Sequence, residues 1–312
     1  MTTTDLPGTR TDTRPHPRST GSALAKAATS GAFVALWTSG YIVGTFGTRA
    51  MPPLALNFWR FTLAAALLAL VAVATRAPWP RTPRAWAHLV VTGVLLQATQ
   101  FGGVYIGLAS GVPAALSSLI IGAAPLLVAV GATALLGERM SRRGWLGSAL
   151  GLAGVALALA GNLRGGGGAG IAATLVGMVG FAAGTLYQRK YGGAMDLRTG
   201  GAVQLGAGAL ATLPLALLVP IGGRTGIAVP VSLASVWPLA WMVAANSIGA
   251  ITLLFVLVRR RGAAAGTGLL YLVPPLTAVV GAPLLHQPLG PLVWAGLAVA
   301  MAGVVLAQRG RR

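Results

Sequence analysis

Cysteine is absent, which excludes a disulfide framework, a thiolate metal site and a thiol nucleophile. Acid is nearly as scarce. Asp5, Asp12, Glu138 and Asp196 are the only carboxylates, and none falls inside an apolar run. Carriers driven by protons or sodium often place a carboxylate within the membrane, and phosphatases and metalloenzymes cluster acids or histidines. Neither device is present. Of the three histidines, His16 lies near the N-terminus, while His88 and His286 lie at the ends of apolar runs. With no paired aspartate and no histidine beside a candidate serine, an intramembrane enzyme is not expected, and no cofactor or metal is implied.

What is abundant is apolar. Hydrophobic residues make up 55% of the chain and charged residues 9%, against about a quarter charged in a soluble domain. A soluble fold would leave large apolar surfaces wet, and lipid removes that conflict. The net charge of +19 invites a nucleic-acid reading. The cations, however, sit in short clusters between apolar runs rather than in a stripe interleaved with aromatics, as membrane orientation requires. The expected partners are the lipid bilayer and a small-molecule substrate, with no nucleic acid.

Reading for runs of about 20 apolar residues gives ten spans. They lie near 29–48, 53–74, 86–108, 112–136, 144–162, 170–188, 200–220, 236–258, 263–285 and 291–308. Residues 1–28, rich in Thr, Pro, Arg and Gly at their start, read as a disordered tail. With that tail inside and the sides alternating, the inner segments hold nineteen Lys and Arg residues and the outer ones only Arg49, Arg164 and Arg224. The positive-inside rule therefore predicts a multi-pass protein of the cell membrane with both termini cytoplasmic.

A shift of 149 residues lays Pro125 on Pro274, Trp145 on Trp294, Gly147 on Gly296 and Gly154 on Gly303, with seventeen identities over 114–161. The chain thus divides into a first five-helix repeat at 29–162, a Gly-rich linker at 163–169, a second repeat at 170–308 and a basic end at 309–312. Five is odd, so the second copy enters the membrane inverted. The loops agree: Glu138-Arg139-Met140-Ser141-Arg142-Arg143 is basic, and its counterpart from His286 to Pro291 carries no Lys or Arg. The predicted fold is an all-α integral membrane protein of ten transmembrane helices in two inverted five-helix repeats, an architecture that places substrate near the midplane.

Trp37-Thr38-Ser39-Gly40, Arg60-Phe61, Ala123-Ala124-Pro125-Leu126 and Leu136-Gly137-Glu138-Arg139 followed by Trp145-Leu146-Gly147 resemble the drug/metabolite transporter superfamily, in its EamA-type branch. Leu272-Val273-Pro274 and Trp294-Ala295-Gly296 repeat the run. The family's second Gly-Glu is replaced here by His286-Gln287. The resemblance covers about 30–310. It implies ten helices around a central cavity, and export or exchange of amino acids, nucleosides or other metabolites.

Several polar residues stand out within the apolar runs. Arg60 sits about 10 Å below the outer end of its helix, at 1.5 Å per residue. It reads either as a clamp for a substrate carboxylate or phosphate, with Asn57 on the same face, or as a side chain that snorkels to the outer interface or bonds backbone carbonyls. Gln97 and Gln100 either line a cavity or bond between helices. The repeat pairs Ser118 with Thr267 and Gly122 with Tyr271; within each copy the two lie four residues apart on one helix face, just ahead of Pro125 or Pro274. Each proline is either a gate or a packing kink. Trp37, Ser39, Tyr187 and Asn246 complete the candidate lining, and Gly103/Gly107/Gly111, Gly147/Gly151 and Gly180/Gly184 read as close helix contacts. The function that emerges is a transporter moving a small polar metabolite, an amino acid or related compound, by alternating access. Facilitated export or exchange fits the inventory better than ion coupling through His286 or Glu138. Lipophilic drug or cation efflux is the alternative, and an intramembrane enzyme is the alternative of another class.

Overall fold

The computed structural model describes residues 20–162, 168–193, 195–250, 252, 253, 257 and 269–309, and side chains from residue 28 onward. Among the described residues there is no strand, only one isolated bridge between Ile221 and Arg224. The helices are α1 (Thr20–Ala50), α2 (Pro53–Ala74), α3 (Pro83–Ala109), α4 (Ala114–Leu135) and α5 (Arg142–Ala160). They continue as α6 (Gly168–Tyr191), α7 (Leu197–Leu218), α8 (Leu233–Ala250), α9 (Leu269–Leu284) and α10 (Pro291–Arg309). Eight of these, α2 to α8 and α10, are long and apolar enough to cross a membrane, and α9 is a shorter apolar helix. The chain is therefore an all-α membrane protein. α1 begins at Thr20, well inside the expected tail, because Ala23-Leu24-Ala25-Lys26-Ala27-Ala28 is a run of strong helix formers.

The starts are set by local chemistry. Proline occupies the first turn of α2 and of α3, where its missing N–H costs nothing. Thr82, Ser141 and Asp196 cap α3, α5 and α7 by accepting from Ala85 N, Gly144 N and Arg198 N.

The helices pair as α2 with α7, α5 with α10, α4 with α9, α3 with α6 and α7, and α1 with α8 and α9. The closest pair, α5 with α10, is reciprocal. A Cβ on Gly147 would strike the backbone of Gly303 and Ala307, and one on Gly296 the backbone of Gly154 and Ala158. Gly154 likewise meets Gly296 and Ala300, while Gly303 meets Gly147 and Gly151. Each contact has its mate 149 residues away, as a local two-fold requires. Small residues at such a crossing let two backbones approach in lipid, where no hydrophobic force drives helices together. Gly103 and Gly107 of α3 press in the same way on α6, and Gly180 and Gly184 of α6 on α3. Gly111 does not belong to that stripe. It forms the turn into α4 at φ +86°, with open space around it.

Four helices are irregular. α4 breaks at Ala123, with Pro125 in the first turn of its second piece. α9 opens with a 3₁₀ turn at Leu269–Leu272, passes Pro274, and continues through a π-segment at Thr277–Gly281. α3 and α8 contain π-segments at Val94–Thr99 and Met242–Ala250. Within those two segments Gln97 and Asn246 are 149 residues apart. Single π-turns inside α-helices are rare and gather at functional sites.

Candidate functional site

The helices α1, α2, α3, α6, α7 and α8 line a partly open cavity of about 150 Å³. Arg60 of α2 reaches into it and is 4% exposed. Its Nε donates to Ser247 Oγ of α8 at 2.9 Å, and its Nη1 donates to the Tyr105 hydroxyl of α3. The guanidinium carbon lies 4.5 Å from the Phe101 ring centre and 5.0 Å from that of Phe61. The side chain thus joins two helices of the first half to one of the second. The snorkelling conformation is not the one adopted.

The charge balance at this point decides what the cavity can do. Removing a guanidinium from water costs several kcal/mol even after relaxation. A ring face returns about 1–2 kcal/mol, and neutral hydroxyls leave the net charge in place. Glu138 is paired with Arg189 and Asp196 with Arg198, so no described carboxylate compensates Arg60. Its Nη2 has no hydrogen-bond partner among the described residues. The site is a buried cation with a free donor aimed at a small void.

Amides and aromatics complete the wall. Gln97, Gln100, Trp37 and Asn246 all line the cavity with Tyr41, Phe101 and Phe181. Asn246 donates from Nδ2 to the Leu36 carbonyl of α1 at 2.6 Å, and its buried Oδ1 has no partner. The side chains of Gln97 and Gln100 take no partner among the described residues. A narrower lobe continues from the same cavity past Trp37, Tyr41, Gln100 and Phe181 to Ser118, Pro125 and Tyr271. There the Ser118 hydroxyl is turned back onto the Ala115 carbonyl, at 2.8 Å.

Not every candidate is here. Asn57 is fully buried between α2 and α7, where its Nδ2 donates to Thr212 Oγ1 at 3.1 Å. It pins two helices and does not join Arg60 in the cavity. Ser39 donates to the Leu36 carbonyl and accepts from Trp241 Nε1, on the outer surface of α1. Tyr187 meets His88 Nδ1 at 2.8 Å beyond the cavity, in an aromatic cluster with Tyr191. Pro274 packs under Gly122 in a separate small void against α10. Thr267 lies outside the described residues. Conversely, Phe101 and Phe181 carry no polar group to single them out in the sequence, and Phe61 stands out there only as the neighbour of Arg60 in a motif. The four-residue spacing of Gln97, Phe101 and Tyr105 was the available signal.

The departure at His286-Gln287 has a structural counterpart. Glu138 pairs with Arg189, whereas Gln287, in the matching place, accepts from Ala114 N through Oε1 at 3.0 Å and caps the start of α4.

A multi-helix membrane bundle around a cavity with an unpaired cation is the framework of a small-molecule carrier, and comparison with known proteins agrees. Residues 27–160 match the EamA-like transporter family. Over 276 residues the chain is 27% identical to the uncharacterized inner membrane transporter YedA of Escherichia coli K12, covering 88% of each protein, and it matches the O157:H7 counterpart equally. A solved structure described as "Crystal structure of protein" shares the fold over 93% of this chain and 99% of that one, with TM-score 0.60 at 20% identity. This chain is a membrane transporter. Its first half resembles the EamA-like transporters, in keeping with the motifs quoted from the sequence.

Proposed function

We propose that the protein moves a small metabolite bearing a carboxylate or phosphate, by export or exchange, and that Arg60 holds the anionic group. The observation that carries this is the buried guanidinium with no described carboxylate partner and a free donor facing the void. Charge-assisted hydrogen bonds to a carboxylate are about twice as strong as neutral ones, so the substrate itself supplies the missing anion. Gln97, Gln100 and Asn246 would read its polar remainder. Trp37 and Tyr41 would shield it from water, with Ser118 and Tyr271 lining the second lobe.

The same reading takes the chain as ten spans in two inverted repeats, 29–162 and 170–308, with both termini cytoplasmic and the halves rocking in alternating access. The reciprocal α5–α10 contact and the self-matching helix pairs support it. The breaks beside Pro125 and Pro274 would be the points that bend.

A thermal-unfolding screen of the purified protein against amino acids, sugar phosphates, nucleosides and lipophilic cations tests the proposal, since a ligand of the folded state raises the midpoint by mass action. Carboxylated or phosphorylated compounds are expected to raise it. Arg60→Gln should weaken their binding roughly 30-fold, from the loss of about 2 kcal/mol of charged hydrogen bonding. Stabilisation by lipophilic cations alone, unchanged in Arg60→Gln, would discard the clamp and move the assignment to drug efflux.

A further inference from the structure

On the bundle surface, a groove of about 410 Å³ runs between α2, α3 and α7, floored by Ala65, Ala69, Ala202 and Gly206. Small residues on two facing helices leave this furrow open where larger ones would fill it. At one end it meets Trp79 and Trp86, whose rings stack at 6.2 Å and nearly parallel, with Trp86 Nε1 donating to the Pro80 carbonyl. Tryptophan pairs of this kind mark the headgroup level of a bilayer. Trp79 also lines a second pocket of about 470 Å³ beyond the groove, together with Arg81, Arg84 and His88. Its lining includes one carboxylate, Asp196, which Arg198 holds through both oxygens at 3.0 and 2.7 Å. Arg81 and Arg84 have no acidic partner among the described residues. An apolar furrow, an interfacial tryptophan pair and an uncompensated basic pocket thus follow one another in line.

We propose that this surface binds an anionic phospholipid, with an acyl chain along the groove and the phosphate against Arg81 and Arg84. A lipid tail leaving bulk lipid for a protein groove gains little, because its surroundings are equally apolar. Preference therefore comes from the headgroup. Each arginine near a membrane surface contributes about fivefold in affinity for an anionic lipid. No residue lining the groove or the basic pocket lines the cavity around Arg60, and the site is independent of what that cavity carries.

The test is native mass spectrometry of the full-length protein with phosphatidylglycerol and phosphatidylethanolamine of matched chains. Phosphatidylglycerol should be retained preferentially, and Arg81→Gln with Arg84→Gln together should lower its apparent affinity about 30-fold. Gly206→Leu fills the furrow, where a Cβ has 3.9 Å of clearance to Ala65 Cβ, so the fold should persist. It should weaken phosphatidylglycerol while leaving free glycerol phosphate unaffected. Equal retention of the two lipids overturns the proposal. So does glycerol phosphate binding as tightly as the lipid with Gly206→Leu silent, which would make the pocket a site for soluble phosphate.

Discussion

The α5–α10 wall and the central cavity differ in how they treat the repeat. At the wall every close contact has a mate: Gly147 on Gly303 and Ala307 answers Gly296 on Gly154 and Ala158. In the cavity the mates diverge. Gln97 and Asn246 occupy matching π-segments, yet Asn246 bonds the backbone of α1 and Gln97 bonds nothing described. Arg60 projects from the first half alone, and the α7 helix packed against α2 has no cation beyond Arg198 in its first turn. At Gly147 and Gly296 backbone-to-backbone packing leaves room only for glycine, so the two matched positions keep the same residue. A binding site gains nothing from two identical faces when its ligand is asymmetric.

The largest effects should come from the wall. A Cβ at Gly147 or at Gly296 meets backbone atoms that cannot turn aside, and overpacking of this kind costs about 1–3 kcal/mol. Gly147→Ala and Gly296→Ala should lower the detergent-state unfolding midpoint by similar amounts, and Gly147→Leu should abolish recovery of folded protein. If one alanine variant were tolerated and its mate were not, the reciprocity of the wall would be only geometric.

These two regions were not equally legible in the sequence. The wall was visible in part: Gly147/Gly151 read as a close helix contact, and Gly147, Gly154, Gly296 and Gly303 keep their spacing under one shift, but nothing in the sequence named α10 as the partner of α5. Arg60 and the amides were found because polar groups inside apolar runs must face something other than lipid. The candidates that lie outside the cavity do so through direction. Asn57 is three residues from Arg60 and about 60° away around the helix, an offset small enough to share its face in the sequence but large enough to put its amide on Thr212 of α7 instead of in the cavity. Ser39 and Tyr187 were chosen for polarity alone, and each found a local partner outside the void. The aromatic half of the cavity, Phe61, Phe101 and Phe181, has no composition signal in a chain that is apolar throughout. The π-segments carry no residue pattern at all.

An intermediate effect should separate the two π-segment amides. Asn246→Ala removes a bond to the Leu36 carbonyl and should cost about 1 kcal/mol of stability. Gln97→Ala breaks no described bond and should leave the unfolding midpoint within about half a kcal/mol of the parent. Both should alter which ligands stabilise the protein, since both line the cavity. Unfolding midpoints with and without ligand measure the two quantities on the same samples. A loss of stability in Gln97→Ala equal to that in Asn246→Ala would restore symmetry to the cavity and break the contrast with the wall.

The smallest effect concerns the ends of α4 and α9. Both helices finish in a left-handed turn, closed six residues back in one and five in the other: Glu138 N donates to the Ala132 carbonyl at 3.2 Å, and Gln287 N to the Ala282 carbonyl at 2.9 Å. The residue before each is left-handed, Gly137 at φ +69° and His286 at φ +55°. Glycine adopts that conformation freely, whereas a residue with a Cβ is held there at a cost of about 1 kcal/mol. His286→Gly should therefore raise the midpoint, by roughly 2 °C after the extra chain entropy of glycine is set against the relief. Gly137→Ala should lower it by a comparable amount. A fall in His286→Gly would mean that the imidazole holds the turn through contacts worth more than the backbone strain, and that the second copy replaced glycine for a gain rather than by tolerance.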